Sequence, residues 1–94
     1  MIKFYIMNKK HYVYILLTQK NTFYCGYTDN VEKRFIEHYI GKGAKYTKAF
    51  KPVRVVYAKE FSTKSEALKE EYRIKHKLNH LQKFKLISSD YGSI

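Results

Sequence analysis

Several things this sequence has little of already narrow its reading. Among 94 residues there is one cysteine, Cys25. No intrachain disulfide can form, a multi-cysteine zinc site is excluded, and a lone thiol fits a reducing cytoplasm. Proline occurs once, as Pro52, and glycine four times, as Gly26, Gly41, Gly43 and Gly92. No repeat or low-complexity stretch is visible. Acidic residues number 8 against 19 lysines and arginines, which sets the formal net charge at +11. Residues Met1 to Lys10 carry a few apolar side chains before Asn8-Lys9-Lys10. That is too short for a membrane span or a secretory h-region, so a soluble, cytoplasmic protein is expected. No phosphate-binding P-loop, dinucleotide fingerprint or zinc spacing occurs.

Apolar and aromatic material is plentiful. The hydrophobic fraction is 45%, with 10 Tyr and 6 Phe, which argues against a disordered basic tail. The length suits one small domain that buries about 60–65% of its unfolded surface. The charge predicts a polyanionic partner, nucleic acid before an acidic membrane surface.

The few breakers divide the chain. His11 to Leu17, HYVYILL, is apolar on both alternating faces and reads as a central strand. Thr18 to Thr22 is a polar turn, and Phe23 to Thr28, FYCGYT, a second strand that completes a hairpin. Gly26 within it signals a bulge or a close backbone approach. With Asp29 as N-cap and Glu32 three residues on, a helix is expected from Asn30 to Ile40, ending at Gly41. Gly41 to Pro52 reads as a basic loop and Pro52 to Phe61 as a third strand. Thr63, with Glu66 three residues later, caps a helix from Lys64 to Leu78. Asn79 to Ile87 forms a short last helix. The expected order is ββαβα(α): a small α/β (α+β) sandwich with a three-stranded sheet flanked by two to three helices. Residues 1–10 are read as an extension, 11–87 as the domain and 88–94 as a fraying tail.

A helical wheel places candidate chemistry. On the first helix Val31, Phe35 and Tyr39 form the expected buried stripe, with Arg34 and His38 about 40° apart at its edge. Arg34 also has a local partner available in Glu37. On the second long helix Glu71 falls inside the apolar arc of Ala67, Leu68, Ile74 and Leu78. A carboxylate there needs a partner. Lys75, four residues on, is one candidate and a metal ion another. A lone carboxylate suits Mg²⁺, which keeps waters and takes substrate phosphate oxygens. Lys42, Lys45, Lys48, Lys51 and Arg54 recur every third residue, with Tyr46 and Phe50 interleaved. That pattern suits a strip that follows phosphates and stacks bases, with Lys75 as a further contact; a solvated loop is the plainer alternative. Cys25 reads as a small strand residue rather than a nucleophile.

These residues resemble the GIY-YIG nuclease domain over Tyr12 to Ile87. Tyr12-Val13-Tyr14 is similar to the first triplet, and Tyr24-Cys25-Gly26 to the second, with Cys25 in place of Ile. Arg34, His38 and Glu71 follow in the family's order. The stretches YVYIL, GKGAKYT and EALKEEYRIK resemble small stand-alone bacterial members related to structure-specific endonucleases. The resemblance implies Glu71 as ligand of a single Mg²⁺ or Mn²⁺ and Arg34 on the scissile phosphate. It implies Tyr14 as general base, with Tyr24 and His38 orienting the water or relaying its proton. A tyrosine has an ordinary pKa near ~10, so the base role calls for a nearby positive charge. The implied substrate is DNA, branched forms included, with RNA not excluded. Specificity would come from this core or a protein partner, and the protein would be a monomer or weak dimer. A binding module without catalysis, or a basic tether for an acidic partner, are the competing readings.

The shared site makes one demand on the hairpin. Tyr14 and Tyr24 must point to the same face, which requires a turn of three or five residues or a bulge. A four-residue turn would separate them.

Overall fold

The computed structural model describes residues 10–92. The N-terminal extension expected over residues 1–10 therefore lies, apart from Lys10, outside the described residues. The elements run β1 (His11–Thr18), β2 (Phe23–Thr28), α1 (Val31–Tyr39), α2 (Lys45–Ala49), β3 (Pro52–Phe61), α3 (Lys64–Lys77) and α4 (His80–Gly92). The sheet order is β2-β1-β3 and both pairings are antiparallel. This is an α+β fold with β1 at the centre, where its unbroken apolar run belongs. Val13, Tyr14, Ile15 and Leu16 are all buried.

The hairpin has the odd register that a shared face requires. Leu17 pairs with Phe23, leaving the five residues Thr18 to Thr22 as the turn. Tyr14 then stands opposite Gly26, and Tyr24 opposite Leu16, two residues along β1. Both tyrosines occupy one face. The turn is closed by Thr18 N–H to the Thr22 carbonyl at 2.9 Å, and Asn21 takes the left-handed conformation (φ 59°) that its short amide side chain tolerates.

The opposite face carries the main core. Val13, Ile15, Cys25 and Tyr57 from the sheet meet Ala67 and Ile74 of α3, flanked by Phe23, Leu78, Leu86 and Ile87. On α3, Leu68 is 40% exposed. The buried stripe is therefore narrower than the wheel suggested and leaves Leu68 outside it. Thr63 caps α3 as expected, its Oγ1 accepting from Glu66 N–H at 3.2 Å. Asn79 and Gln82 cap α4 reciprocally, at 2.8 and 2.9 Å.

Three local expectations are corrected. The N-cap of α1 is Asn30, whose Oδ1 accepts from Lys33 N–H at 3.1 Å, not Asp29. Asn30 is set in place by Thr28, whose Oγ1 accepts from Asn30 N–H at 3.1 Å. The basic segment after Gly41 is not all loop, because Lys45–Ala49 forms the one-turn helix α2. It lacks a side-chain cap, so no capping residue marks its start in the sequence. The last helix does not stop at Ile87 but continues through Gly92, so residues 88–92 are helical.

The end of α1 aims the chain back toward the sheet. Gly41 takes φ +82°, Lys42 N–H bonds the Glu37 carbonyl at 2.8 Å, and Gly41 N–H bonds the His38 carbonyl at 3.2 Å. This is the glycine-terminated helix end in which a left-handed residue satisfies the last carbonyls. The reversal carries Gly43 and α2 across the imidazole of His38.

Candidate active site

The face that bears Tyr14 and Tyr24 is met by α1 and α2. His38 is completely buried there and is the one buried residue of α1. This corrects the wheel, which placed His38 at a rim and Tyr39 in the core. Tyr39 is 50% exposed. The helix is rolled toward polar partners rather than along its apolar stripe. Tyr14 Oη lies 2.7 Å from His38 Nε2, and Thr47 Oγ1 lies 2.6 Å from His38 Nδ1. Two short hydrogen bonds offset the cost of burying an imidazole. With both nitrogens engaged, His38 is not placed as a metal ligand.

Aromatic side chains continue outward from this centre. The Tyr24 ring stands edge-on to His38 at 5.1 Å between centroids and stacks on Tyr46 at 5.9 Å, and Tyr46 tilts against Phe50 at 4.9 Å. Tyr46 also donates to Thr22 Oγ1 at 2.7 Å, tying α2 to the hairpin turn. Tyr46, expected as a free stacking group, is thus partly spent on holding the fold.

Protonation is set by burial. Burial holds the Tyr14 phenol well above its usual range, and the Arg34 guanidinium beside it pulls back only part of that rise. Tyr14 is a neutral phenol at pH 7. Burial lowers His38 to about 4, assisted by the Arg34 charge. His38 is a neutral imidazole with one lone pair. For Arg34 itself, burial lowers the pKa, but bonds to Glu37 and Tyr14 outweigh it and the net shift is upward. Its guanidinium also pairs with Glu37 at 3.1 Å, as the spacing allowed.

The buried neutral His38 has a consequence for acid stability. The unfolded chain takes up a proton near pH 6.5, and the folded chain only near pH 4. The contribution is complete above the unfolded pKa and is lost as pH falls from about 6.5 to 4, amounting to roughly 3 kcal/mol. Urea unfolding of wild type and His38→Gln between pH 7 and 4 measures it. Wild type should lose about that much more than the variant. Equal slopes would mean that His38 is not buried neutral.

Glu71 is carried by α3, not by the elements that hold the tyrosines. Helix α3 packs on the other side of the sheet, and the Glu71 charge acts on Cys25 there. Burial, then Glu71, pushes that thiol up to about 12, so Cys25 is inert as a strand residue should be. The link to the site runs through Lys75. Its Nζ is 3.5 Å from Glu71 and stands 5.5 Å over the Tyr24 ring. Among the described residues no group of three His, Cys, Asp or Glu could cage a metal ion. Glu71 offers one hard carboxylate, 21% exposed at its side chain. That donor set fits a cation that retains waters and takes oxygens from a phosphate. The neighbouring Glu70 is committed to Arg73 by two bonds of 2.8 and 2.7 Å, which hold it below the usual carboxylate range.

The lysine strip is partly gathered. Lys42, Lys45, Lys48 and Lys51 are all exposed on and around α2, and Lys51 sits 5.0 Å over the Tyr39 ring. Arg54 lies on β3. It lines a cavity of about 230 Å³ with Val55, Val56 and Ile87 of α4. The three-residue spacing fails there because the chain passes from helix to strand, where a different period applies. Thr47 and Gly43 are site neighbours that composition did not single out. Their only signal is their place within GKGAKYT.

No helix among the described residues is long and apolar enough to cross a membrane. Residues 10–85 match the family model of the GIY-YIG catalytic domain. The chain is 52% identical over 81 residues to a UPF0213 protein of Oceanobacillus iheyensis, covering 86% of this chain and 93% of that one. It is 54% identical over 78 residues to a UPF0213 protein of Staphylococcus haemolyticus, with 83% and 94% covered. Among solved structures it resembles the solution NMR structure of a UPF0213 protein from Bacillus halodurans, at 44% identity and TM-score 0.55, covering 84% of this chain and 83% of that one. A second NMR structure, of a protein from E. faecalis, matches at 41% identity and TM-score 0.61, with 88% of each chain covered. Together with the paired tyrosines, Arg34 and His38 on one sheet face, these matches show that the chain belongs to the GIY-YIG family of nuclease domains.

Proposed function

We propose that this chain is an endonuclease that hydrolyses phosphodiester bonds in DNA with the help of one divalent metal, Mg²⁺ or Mn²⁺. The observation that carries the reading is the buried Tyr14–His38 hydrogen bond of 2.7 Å, with Arg34 beside the same phenol. A nearly inaccessible tyrosine bonded to a neutral histidine forms a ready proton path beside a guanidinium. Because Tyr14 rests as a phenol, it can accept a proton from an attacking water only by giving up its own. His38 Nε2 is the acceptor in place, and the negative charge of a phosphate taken up by Arg34 would restore the basicity that burial and the Arg34 cation hold down. Arg34 supplies a permanent cation that leaves Glu37 for a phosphoryl oxygen when charge develops there. Tyr24 walls the site and fixes His38 from the side. Glu71 would hold the metal, which supplies charge neutralisation on the phosphate and its leaving oxygen. Lys42, Lys45, Lys48, Lys51 and Lys75 would follow the flanking phosphates.

One feature favours a second reading. Arg34 and Glu71 each already have an ion-pair partner, as they would on an inert surface. On that reading the same face binds nucleic acid without cutting it. Labelled duplex, single-stranded, flap and four-way-junction DNA, with a matched RNA, separates the two. Each is incubated with Mg²⁺, Mn²⁺ or EDTA, using wild type and Arg34→Ala. The nuclease reading expects metal-dependent cleavage reduced roughly 10²-fold in Arg34→Ala. Equal trace cleavage in both proteins, or salt-sensitive binding with no cleavage of any substrate, would end it.

A further inference from the structure

His38 has a neighbour at each ring nitrogen, and a neutral imidazole carries one proton. One nitrogen must donate and the other accept. Thr47 determines which. Its hydroxyl oxygen lies 3.0 Å from the Ala44 carbonyl oxygen, which can only accept. With the hydroxyl proton given to Ala44, the Thr47 oxygen is left to accept from Nδ1–H at 2.6 Å. The Nε2 lone pair then faces the Tyr14 hydroxyl at 2.7 Å. The Tyr14 bond is of ordinary length, the Nδ1–Thr47 bond is short for an N–H donor, and the Thr47–Ala44 bond is at the long end for a hydroxyl.

The opposite tautomer is poorer on two counts. It would let Nδ1 accept from Thr47 at 2.6 Å and from the Ala44 amide at a long 3.4 Å, but would take the Thr47 proton away from the Ala44 carbonyl. It would also turn Nε2–H toward the Tyr14 oxygen and leave the phenol's own proton needing another acceptor. The other polar neighbour of that oxygen is the Arg34 guanidinium, a donor. Tyr14 is 2% exposed, so in the resting fold bulk solvent does not supply that acceptor, and an attacking water would reach the phenol only as part of a bound substrate complex. Thr47 itself is 1% exposed. Gly43 lies close against the ring, where a Cβ would overlap His38 Nδ1. The imidazole is therefore held by a built pocket and not by chance contact.

We propose that Thr47 is a positioning residue whose hydroxyl, braced by the Ala44 carbonyl, fixes His38 as the Nδ1–H tautomer and leaves Nε2 to take the proton of Tyr14. The role matters through the relay proposed above and rests on it. The tautomer, however, is a property of the protein alone and can be read without any substrate.

The test is long-range proton–nitrogen NMR on ¹⁵N-labelled wild type, Thr47→Val and Thr47→Ser at neutral pH. Wild type and Thr47→Ser should show a protonated Nδ1 and a bare Nε2. Thr47→Val keeps the shape but loses the hydroxyl, and its His38 should reverse or populate both forms. Cleavage should fall roughly 10²-fold in Thr47→Val and be restored in Thr47→Ser. A wild-type spectrum with the proton on Nε2 overturns the proposal, whether or not the variants fold. An unchanged tautomer in a folded Thr47→Val overturns it too. If the tautomer behaves as stated and no protein cleaves DNA, the Thr47 role in fixing His38 stands and the nuclease reading fails alone.

Discussion

Glu71→Gln is expected to lower metal-dependent cleavage by roughly 10³-fold while leaving the fold intact. The substitution preserves size and hydrogen-bonding shape and removes one negative charge. Its cost in stability is that of a single partly exposed i,i+4 pair with Lys75, about 0.3–0.5 kcal/mol. Its cost in catalysis is that of the proposed metal carboxylate, which is linked to Tyr24 through Lys75. Binding should move the other way. The variant carries one more unit of net positive charge than the +11 of the native chain, and Lys75 is released toward phosphate. DNA affinity in EDTA should therefore rise slightly as cleavage falls. Parallel measurements of affinity in EDTA and of cleavage rate in Mg²⁺ make the separation visible. Cleavage within tenfold of wild type would remove Glu71 from the metal site. A matching loss of affinity and rate would point to damaged structure.

What could be read in the sequence depends on how local each signal is. The hairpin, α3 and the cap at Thr63 follow from alternation, helical period and a capping residue within a few positions of one another. The shared face of Tyr14 and Tyr24 was legible as a parity requirement, and the five-residue turn meets it. His38 was not legible in the same way. A wheel ranks positions by their own polarity, so it gave the interior to Tyr39 and the rim to histidine. The interior position is won by two partners, Tyr14 and Thr47, which lie 24 and 9 residues away in the chain. Neither bond is encoded in the period of α1. Thr47 was hidden for a related reason. It sits in a segment dominated by lysine and glycine, and α2 is only five residues long. Arg54 shows the converse limit: the spacing that groups residues along a helix does not carry into β3, where Arg54 lines a cavity with Ile87. Gly26 was legible as a close approach, but its neighbour was not.

That neighbour is Tyr14, and it makes Gly26→Ala the most damaging small substitution expected in the sheet. The two residues are directly paired across β1 and β2, and a Cβ on Gly26 would overlap the Tyr14 hydroxyl and the ring carbon that bears it. The overlapped group is the end of a stiff, buried ring, not of a flexible chain. It cannot move away while keeping its 2.7 Å bond to His38. Overpacking costs about 1–3 kcal/mol, and a broken buried hydrogen bond adds a similar amount. A total near ~3 kcal/mol corresponds to a fall in Tm of roughly 15 °C for a domain of this size. Cleavage should drop roughly 10²-fold even where the variant is fully folded, because the displaced phenol no longer meets His38. Tyr14→Phe supplies the control. It removes the oxygen that collides and, on its own, leaves His38 Nε2 without its partner. In the double variant part of the Gly26→Ala penalty should therefore vanish, and the two changes should cost less together than their sum. Thermal unfolding of the four proteins in this cycle decides the matter. Strict additivity, or a Gly26→Ala Tm equal to that of wild type, would mean that the Tyr14 ring is not wedged against this glycine.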